Sequence, residues 1–364
     1  MSERLFISAA AGFEAAARLD NLPDGHPARR LHGHSYVARA RLMPVPGWED
    51  FAGAGVEQLS VALEDAVAPL NYAFLNDVLS DPSDDHLARW VQQRLALAGL
   101  QRLGIQSTTH CGVDLDCSSA ATVWRRYRFE AAHRLPNVPL GHKCGRMHGH
   151  GFEVVLHANL DSFEGDFGIA VESLDAHWLP LHQQLHMACL NDVDGLHNPT
   201  SEMIAGWLWL QLKGDLPALR WITVFETANC GAHFDGQHYR IWKELTLDSA
   251  VQLSSAPAGD SRRRIHGHTY TLRLHLSAPI DQVMGWTVDF GDVKTRFDPI
   301  FKSIDHHPLH ELPGLAHADA ASFARWIRAQ AQPLLPQLDR IDLEETPGCG
   351  VILAWGDHDL AFSI

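Results

Sequence analysis

Cys144-Gly-Arg-Met-His148-Gly-His150 is the run on which the reading of this chain turns. Successive side chains of a strand point to opposite faces, so His148 and His150 share one face. Their row continues as Phe152, Val154, Leu156 and Ala158, while Glu153, His157 and Asn159 fall on the other side. Upstream, the alternating residues Tyr127, Phe129, Ala131 and His133 bring a third imidazole to a comparable position. Three neutral imidazoles with a fourth position open is the layout of a catalytic zinc site. Cys144, four residues before His148, is placed to act near such a metal as a base or nucleophile. A lone histidine on an apolar strand face is more often a core residue. The ordered set of three, with a thiol close by, is what points to a metal.

The motif recurs. His-Gly-His triplets begin at His32, His148 and His266, each followed by an alternating apolar row. Phe13-Glu-Ala-Ala-Ala17-Arg-Leu repeats Phe129-Glu-Ala-Ala-His133-Arg-Leu almost letter for letter. Cys111, Cys230 and Cys349 stand at equal intervals of 119 residues (230 − 111 and 349 − 230). This spacing reads as internal repetition, with the three cysteines as small buried residues. Three tandem domains are expected, spanning 1–121, 122–237 and 238–364, with boundaries near Ala121 and Gln237. In the middle one, strands over about 123–133 and 148–160 lead into a helical region. Asn198-Pro199 reads as a helix N-cap and first turn, and Trp221–Phe225 as a further strand. The third domain repeats this, with a helix over 320–330, and the first does so with a helix over 85–98. The order is ββααββ.

Composition narrows the partners. The chain has 364 residues and a formal charge of −15, which argues against nucleic acid or an anionic membrane as the main partner. Six cysteines without a CxxC pair do not form a disulfide framework. The first residues carry no signal-peptide core, and no apolar run has membrane length, so the expected location is the cytoplasm.

The residues Phe129-Glu-Ala-Ala-His133, Cys144-x3-His148-Gly-His150, Asn198-Pro-Thr-Ser-Glu202 and Glu226-Thr227 resemble the 6-pyruvoyl-tetrahydropterin synthase superfamily. The three-residue gap between Cys144 and His148 resembles its 6-carboxy-tetrahydropterin synthase branch, which serves queuosine precursor biosynthesis. The resemblance implies an α+β T-fold: three ββααββ units forming a pseudo-trimeric antiparallel β-barrel with helices outside. Two chains stacked face to face would then be a homodimer that mimics the family's hexamer. It also implies Zn²⁺ on His133, His148 and His150, and the substrate 7,8-dihydroneopterin triphosphate. The implied products are 6-carboxytetrahydropterin, acetaldehyde and triphosphate. A pyruvoyl-type synthase or related side-chain lyase is one alternative; a non-catalytic pterin- and zinc-binding scaffold is another.

Departures from the family pattern locate one composite site. The family's Asp-His pair is present only in the third domain, as Asp305-His306; Asn71-Tyr72 and His186-Met187 stand in its place elsewhere. Ala17 and Val251 replace the imidazole of His133, and Ala28 and Arg262 replace Cys144. The expected site is therefore zinc on the middle domain with Cys144, completed by Asp305 and His306 and facing the third domain. Cys144, as a thiolate favoured by zinc and by Lys143 or Arg146, would be the base, and His306 would return a proton. Glu226 is favoured as the pterin anchor over Glu345, with Thr200 and Ser201 beside the ring. His32, His34, His266 and His268 are read as retained barrel residues. Arg262-Arg263-Arg264 is read as a solvated charge run, with a phosphate-holding role as its alternative.

Overall fold

A computed structural model describes residues 2–163, 165–315 and 317–356. Twelve long strands form one antiparallel sheet in which spatial order follows chain order. They are β1 (Arg4–Ala17), β2 (His32–Leu42), β3 (Leu100–Thr108), β4 (Cys111–Asp116), β5 (Ala121–His133) and β6 (His148–Asn159). The remainder are β7 (Leu219–Thr227), β8 (Cys230–Phe234), β9 (Tyr239–Val251), β10 (His266–Ser277), β11 (Leu338–Thr346) and β12 (Cys349–Ala354). The last strand pairs with the first, Arg4 opposite Ala354 and Ser8 opposite Gly350, so the sheet closes into a barrel. Closure leaves no long strand with an unpaired edge. This is the α+β T-fold barrel that the resemblance implies, built from the three ββααββ units expected from the repeats.

Six helices lie outside: α1 (Gly55–Val67), α2 (Asp84–Leu95), α3 (Phe167–Leu185), α4 (Ser201–Leu212), α5 (Phe290–Ile304) and α6 (Ala320–Ala331). Each unit sends two of them between its second and third strands. Alternation sorts the side chains. Phe152, Val154, Leu156 and Ala158 are fully buried under the helices of the second unit, and Tyr270, Leu272, Leu274 and Leu276 under those of the third. The opposite, inner face is also buried but carries charge. Arg41, Arg102, Asp114, His157, Arg240, His275, Arg340 and Asp342 lie there beside an aromatic group of Trp124, Phe225 and Trp242. His157, expected on the less apolar face, is thus enclosed in the barrel with its ring stacked on Trp221 at 4.4 Å. The charges are compensated in place, as in the Arg340–Asp342 pair at 2.6 Å and the Arg240–Asp339 pair at 2.7 Å.

The three β-hairpins that carry the His-Gly-His triplets open at one end of the barrel. There Leu31, Met147 and Ile265, each directly before a triplet, are 68%, 54% and 67% exposed. Tyr72, Met187 and His306 recur at one place after the first helix of each unit, all with positive φ (56°, 57° and 59°). The amide of each donates to the first strand of its own unit, at Glu14, Glu130 and Asp248 respectively.

Candidate active site and metal centre

Strand register builds the centre. In the β5–β6 pair His133 stands opposite His148, and Ala131 opposite His150. The three rings meet with centroid separations of 4.5, 5.2 and 5.1 Å. One nitrogen from each lies within 4.8 Å of the others. His133 Nδ1 is hydrogen-bonded to the Pro199 carbonyl at 2.8 Å and His148 Nδ1 to the Arg146 carbonyl at 2.8 Å. Both bonds fix Nδ1 as the donor and leave Nε2 as a lone pair aimed inward, the arrangement that prepares imidazole to bind a metal. Nε2 of His133 and of His150 are buried without a hydrogen-bond partner. Burial lowers the pKa of both rings, with Glu226 opposing, so the rings are held neutral. The donor set fits a divalent metal that accepts three nitrogens and keeps a position open. In the first and third units the residues opposite His32 and His266 are Ala17 and Val251, and among the described residues no three-imidazole group forms there.

A cleft of about 660 Å³ adjoins the histidines. One wall is the second unit: Cys144, His148, His150, Thr200, Ser201 and Glu226. The facing wall belongs to the third unit and includes Lys243, Trp286, Asp289 and Lys294. Glu226 lies 3.4 Å from His150 Nε2 through one oxygen and accepts from Ser201 Oγ at 2.9 Å through the other. Cys144 sits in the short turn between the hairpin strands, where its amide donates to His142 Nδ1 at 3.2 Å. Burial pushes its thiol above the ordinary range, with Glu226 adding to the effect and Lys143 opposing it. Lys143 acts on the thiol in the expected direction without outweighing burial.

Several expected residues are placed differently. The helix α4 is capped by Thr200, whose oxygen accepts from Met203 N at 3.2 Å, and not by Asn198. Thr200 also donates to the Gly285 carbonyl, so its hydroxyl proton is committed to the third unit's loop. Asp305 and His306 do not line the cleft. They form a pair at 2.9 Å on the open end of the barrel, where Asp305 accepts from the Asp248 amide at 3.0 Å and the His306 side chain is 75% exposed. Hydrogen bonding to Asp305 raises the pKa of His306. Glu345 lies between the third and first units, pushed by burial to about 7 and flanked by Asp319, Arg262 and Glu57. Arg262 is no solvated charge there: it pairs with Asp260 at 2.6 Å and with Glu57, and covers the Phe51 ring at 4.7 Å.

Sequence reasoning missed the loop that completes the cleft. Residues 281–289 of the third unit are bound by the second. Asn137 donates to the Val283 carbonyl at 2.6 Å, Asn198 to the Met284 carbonyl at 2.7 Å, and Thr287 N and Oγ1 donate to Glu202 Oε1 at 2.8 and 3.1 Å. Glu202 is buried, which raises its pKa to about 7. Its position directly after Ser201 was the available signal.

The family model described as 6-pyruvoyl tetrahydropterin synthase matches this chain three times, at residues 6–112, 122–237 and 240–354. The 6-carboxy-5,6,7,8-tetrahydropterin synthase of Synechocystis is 34% identical over 119 residues, covering 31% of this chain and 91% of that protein. The dihydroneopterin monophosphate aldolase of Pyrococcus furiosus is 30% identical over 94 residues, covering 25% and 79%. The structure of Caenorhabditis elegans 6-pyruvoyl tetrahydropterin synthase aligns at 16% identity over 32% of this chain and 95% of that one, with a TM-score of 0.30.

Proposed function

The chain belongs to the 6-pyruvoyl tetrahydropterin synthase family, and from that premise we propose that it is a zinc-dependent 6-carboxy-5,6,7,8-tetrahydropterin synthase of the queuosine precursor pathway. The substrate in this reading is 7,8-dihydroneopterin triphosphate, and one site per chain acts on it. The observation that carries the reading is the His133–His148–His150 group beside Cys144 and Glu226 in one cleft. The Synechocystis relative favours the carboxy branch over a pyruvoyl-type synthase.

His133, His148 and His150 would hold the zinc, which when bound supplies Lewis acidity toward the hydroxyls of the substrate's side chain. Glu226, oriented by Ser201, accepts N–H groups of the pterin ring in a charge-assisted pair. Cys144 takes a proton from the side chain. His306, held by Asp305 and with its pKa raised, returns one. In this reading the Asp305–His306 pair serves a second copy of the chain. Two chains meet through the open barrel ends, where the exposed Leu31, Met147 and Ile265 recur in all three units. The pair then enters the partner's cleft, in place of the within-chain composite site expected from sequence. The protein acts in the cytoplasm in this reading, and among the described residues no helix is long and apolar enough to cross a membrane.

The test is to incubate zinc-loaded protein with 7,8-dihydroneopterin triphosphate and identify products by mass. Carboxytetrahydropterin with acetaldehyde supports the proposal. A pyruvoyl product moves the protein to the sister reaction. Zinc and pterin binding without turnover leaves a scaffold and overturns the proposal.

A further inference from the structure

The cleft lies at one of three unit boundaries, and the chain's own side chains reach across the other two. Between the first and second units Leu22 is buried against Gly168, where an added Cβ would come 2.5 Å from its Cδ2. The strand carboxylate is missing there: Ser107 stands in the place of Glu226, and its acid partner Asp84 belongs to the helix. The boundary between the third and first units is different. It keeps Glu345 in the place of Glu226, whereas Ala320 replaces Ser201 directly after the helix cap, so no hydroxyl orients the acid. Among the described residues nothing donates a hydrogen bond to the Glu345 carboxylate, although burial raises its pKa to about 7. A buried acid without a donor is a cost the fold does not require, since Ser107 serves at the same place.

Arg262 crosses this same boundary. It stands where the second unit has Cys144, in the short turn before a His-Gly-His triplet. Asp260 holds its guanidinium through two bonds of 2.9 and 2.6 Å. From there it reaches the first unit, pairing with Glu57 and covering the Phe51 ring at 4.7 Å. Asp260 occupies the place of His142 and His26, and a single imidazole does not offer a guanidinium two acceptors. The first unit's backbone closes in beside it. Ser255 Oγ donates to the Ala52 carbonyl at 2.7 Å, and a Cβ on Gly53 would lie 2.8 Å from that of Asp319. Among the described residues, the set of Asp260, Arg262 and Glu57 has no counterpart at the other two boundaries.

We propose that the third–first boundary is a second ligand site, complete in its anchoring carboxylate and held shut by Arg262. Its ligand is a flat heterocycle with two adjacent N–H groups, which a carboxylate such as Glu345 accepts as a pair. No metal takes part, because Val251 stands opposite His266 where an imidazole would be needed. The latch of Asp260, Arg262 and Glu57 confines binding to the boundary that has the three imidazoles. Ligand is then not held where no metal can act on it. This extends the pterin reading and rests on it for the identity of the ligand.

The test counts neopterin bound per chain of the zinc-loaded protein by titration calorimetry, with thermal unfolding as the check of folding. The parent should bind one equivalent. Arg262→Ala should bind a second, about tenfold or more weaker because no metal assists it, with zinc content unchanged. Arg262→Cys, the residue the second unit carries at that place, gives the same reading if Arg262→Ala does not fold. Adding Glu345→Ala should remove the second equivalent and leave the first. Leu22→Ala, which makes room at the boundary without a strand acid, should stay at one. A count that stays at one in folded Arg262→Ala or Arg262→Cys overturns the inference, as does a second equivalent that survives Glu345→Ala or appears in Leu22→Ala. N-ethylguanidinium supplies the atoms that Arg262→Ala removes, and it should raise the unfolding temperature of that variant and not of the parent. If it does so while neopterin binds to neither protein, the closed site stands and the pterin reading falls; if it does not, Arg262 filled no site and the inference falls.

Discussion

Ser107 donates to Asp84 across 2.6 Å between β3 and the first turn of α2. It is the same helix-to-strand contact that Ser201 makes to Glu226, with carboxylate and hydroxyl exchanged between the two elements. The exchange keeps the bond and removes the acceptor from the strand, where a ligand would meet it. Burial, only partly offset by Ser107, pushes Asp84 to about 7. Its carboxyl is therefore protonated in the fold at pH values where the unfolded chain has already ionised. The stability it contributes is complete below the ordinary aspartate range and declines as pH rises towards 7. Asp84→Asn should match the parent at pH 4 and exceed it at pH 8 by on the order of 1–3 kcal/mol, measured by urea denaturation at both values.

Metal stoichiometry should separate the three units. One zinc per chain is expected by atomic absorption, because among the described residues only the second unit presents three imidazoles together. His148→Ala should abolish it, whereas His266→Ala should leave it intact. Retention of a full equivalent in His148→Ala would place the metal elsewhere.

The position of Asp305 and His306 predicts complementation between chains. Cys144→Ala and His306→Ala should each lose activity by about a hundredfold or more. When the two are unfolded and refolded as a mixture, about half the dimers carry one of each, and roughly a quarter of the sites regain both groups. Recovered activity in the mixture checks the shared site; its absence, with mixed dimers present, returns the pair to its own chain or to no catalytic role. Met147→Glu should shift the protein towards monomer in sedimentation, since it puts charge into the repeated apolar rim.

Glu202→Ala should unfasten the loop of residues 281–289 by leaving Thr287 N and Oγ1 without their acceptor. A stability loss of about 1–3 kcal/mol is expected. KM should rise more than kcat falls, because the loop forms the cleft wall. Glu202→Gln, which keeps an oxygen acceptor, should restore both.

What the sequence made legible follows from periodicity. The three units and the meeting of His133, His148 and His150 depend on strand alternation and recurrence, both of which are written along the chain, whereas closure into a barrel was what the family resemblance implied. Two features depend on contacts between units and one on a contact within a unit, and these were not legible. Thr200 displaced Asn198 as the cap because Asn198 is drawn to Met284 across the boundary. Asp305 and His306 were expected in the cleft because they alone match the family's Asp-His motif, yet the short link after α5 ties them to Asp248 on their own unit's rim. Arg262 looked solvated in a run of three arginines, but its partners Glu57 and Phe51 lie some two hundred residues away. The charged barrel interior was hidden for a different reason: alternation reports that a face differs from its neighbour, not that it too is enclosed.

The pairing of Arg4 with Ala354 makes the arrangement of units cyclic. What the cleft requires is that the third unit follow the second around the ring, a condition met whichever unit comes first in the chain. Joining β12 to β1 by a linker and opening the chain at the exposed turn around Cys117 would give second–third–first, with every neighbour preserved. Swapping the second and third units would reverse the cycle and place Lys243 and Lys294 on the wrong side of the histidines. Gene order is free to rotate; it is not free to permute.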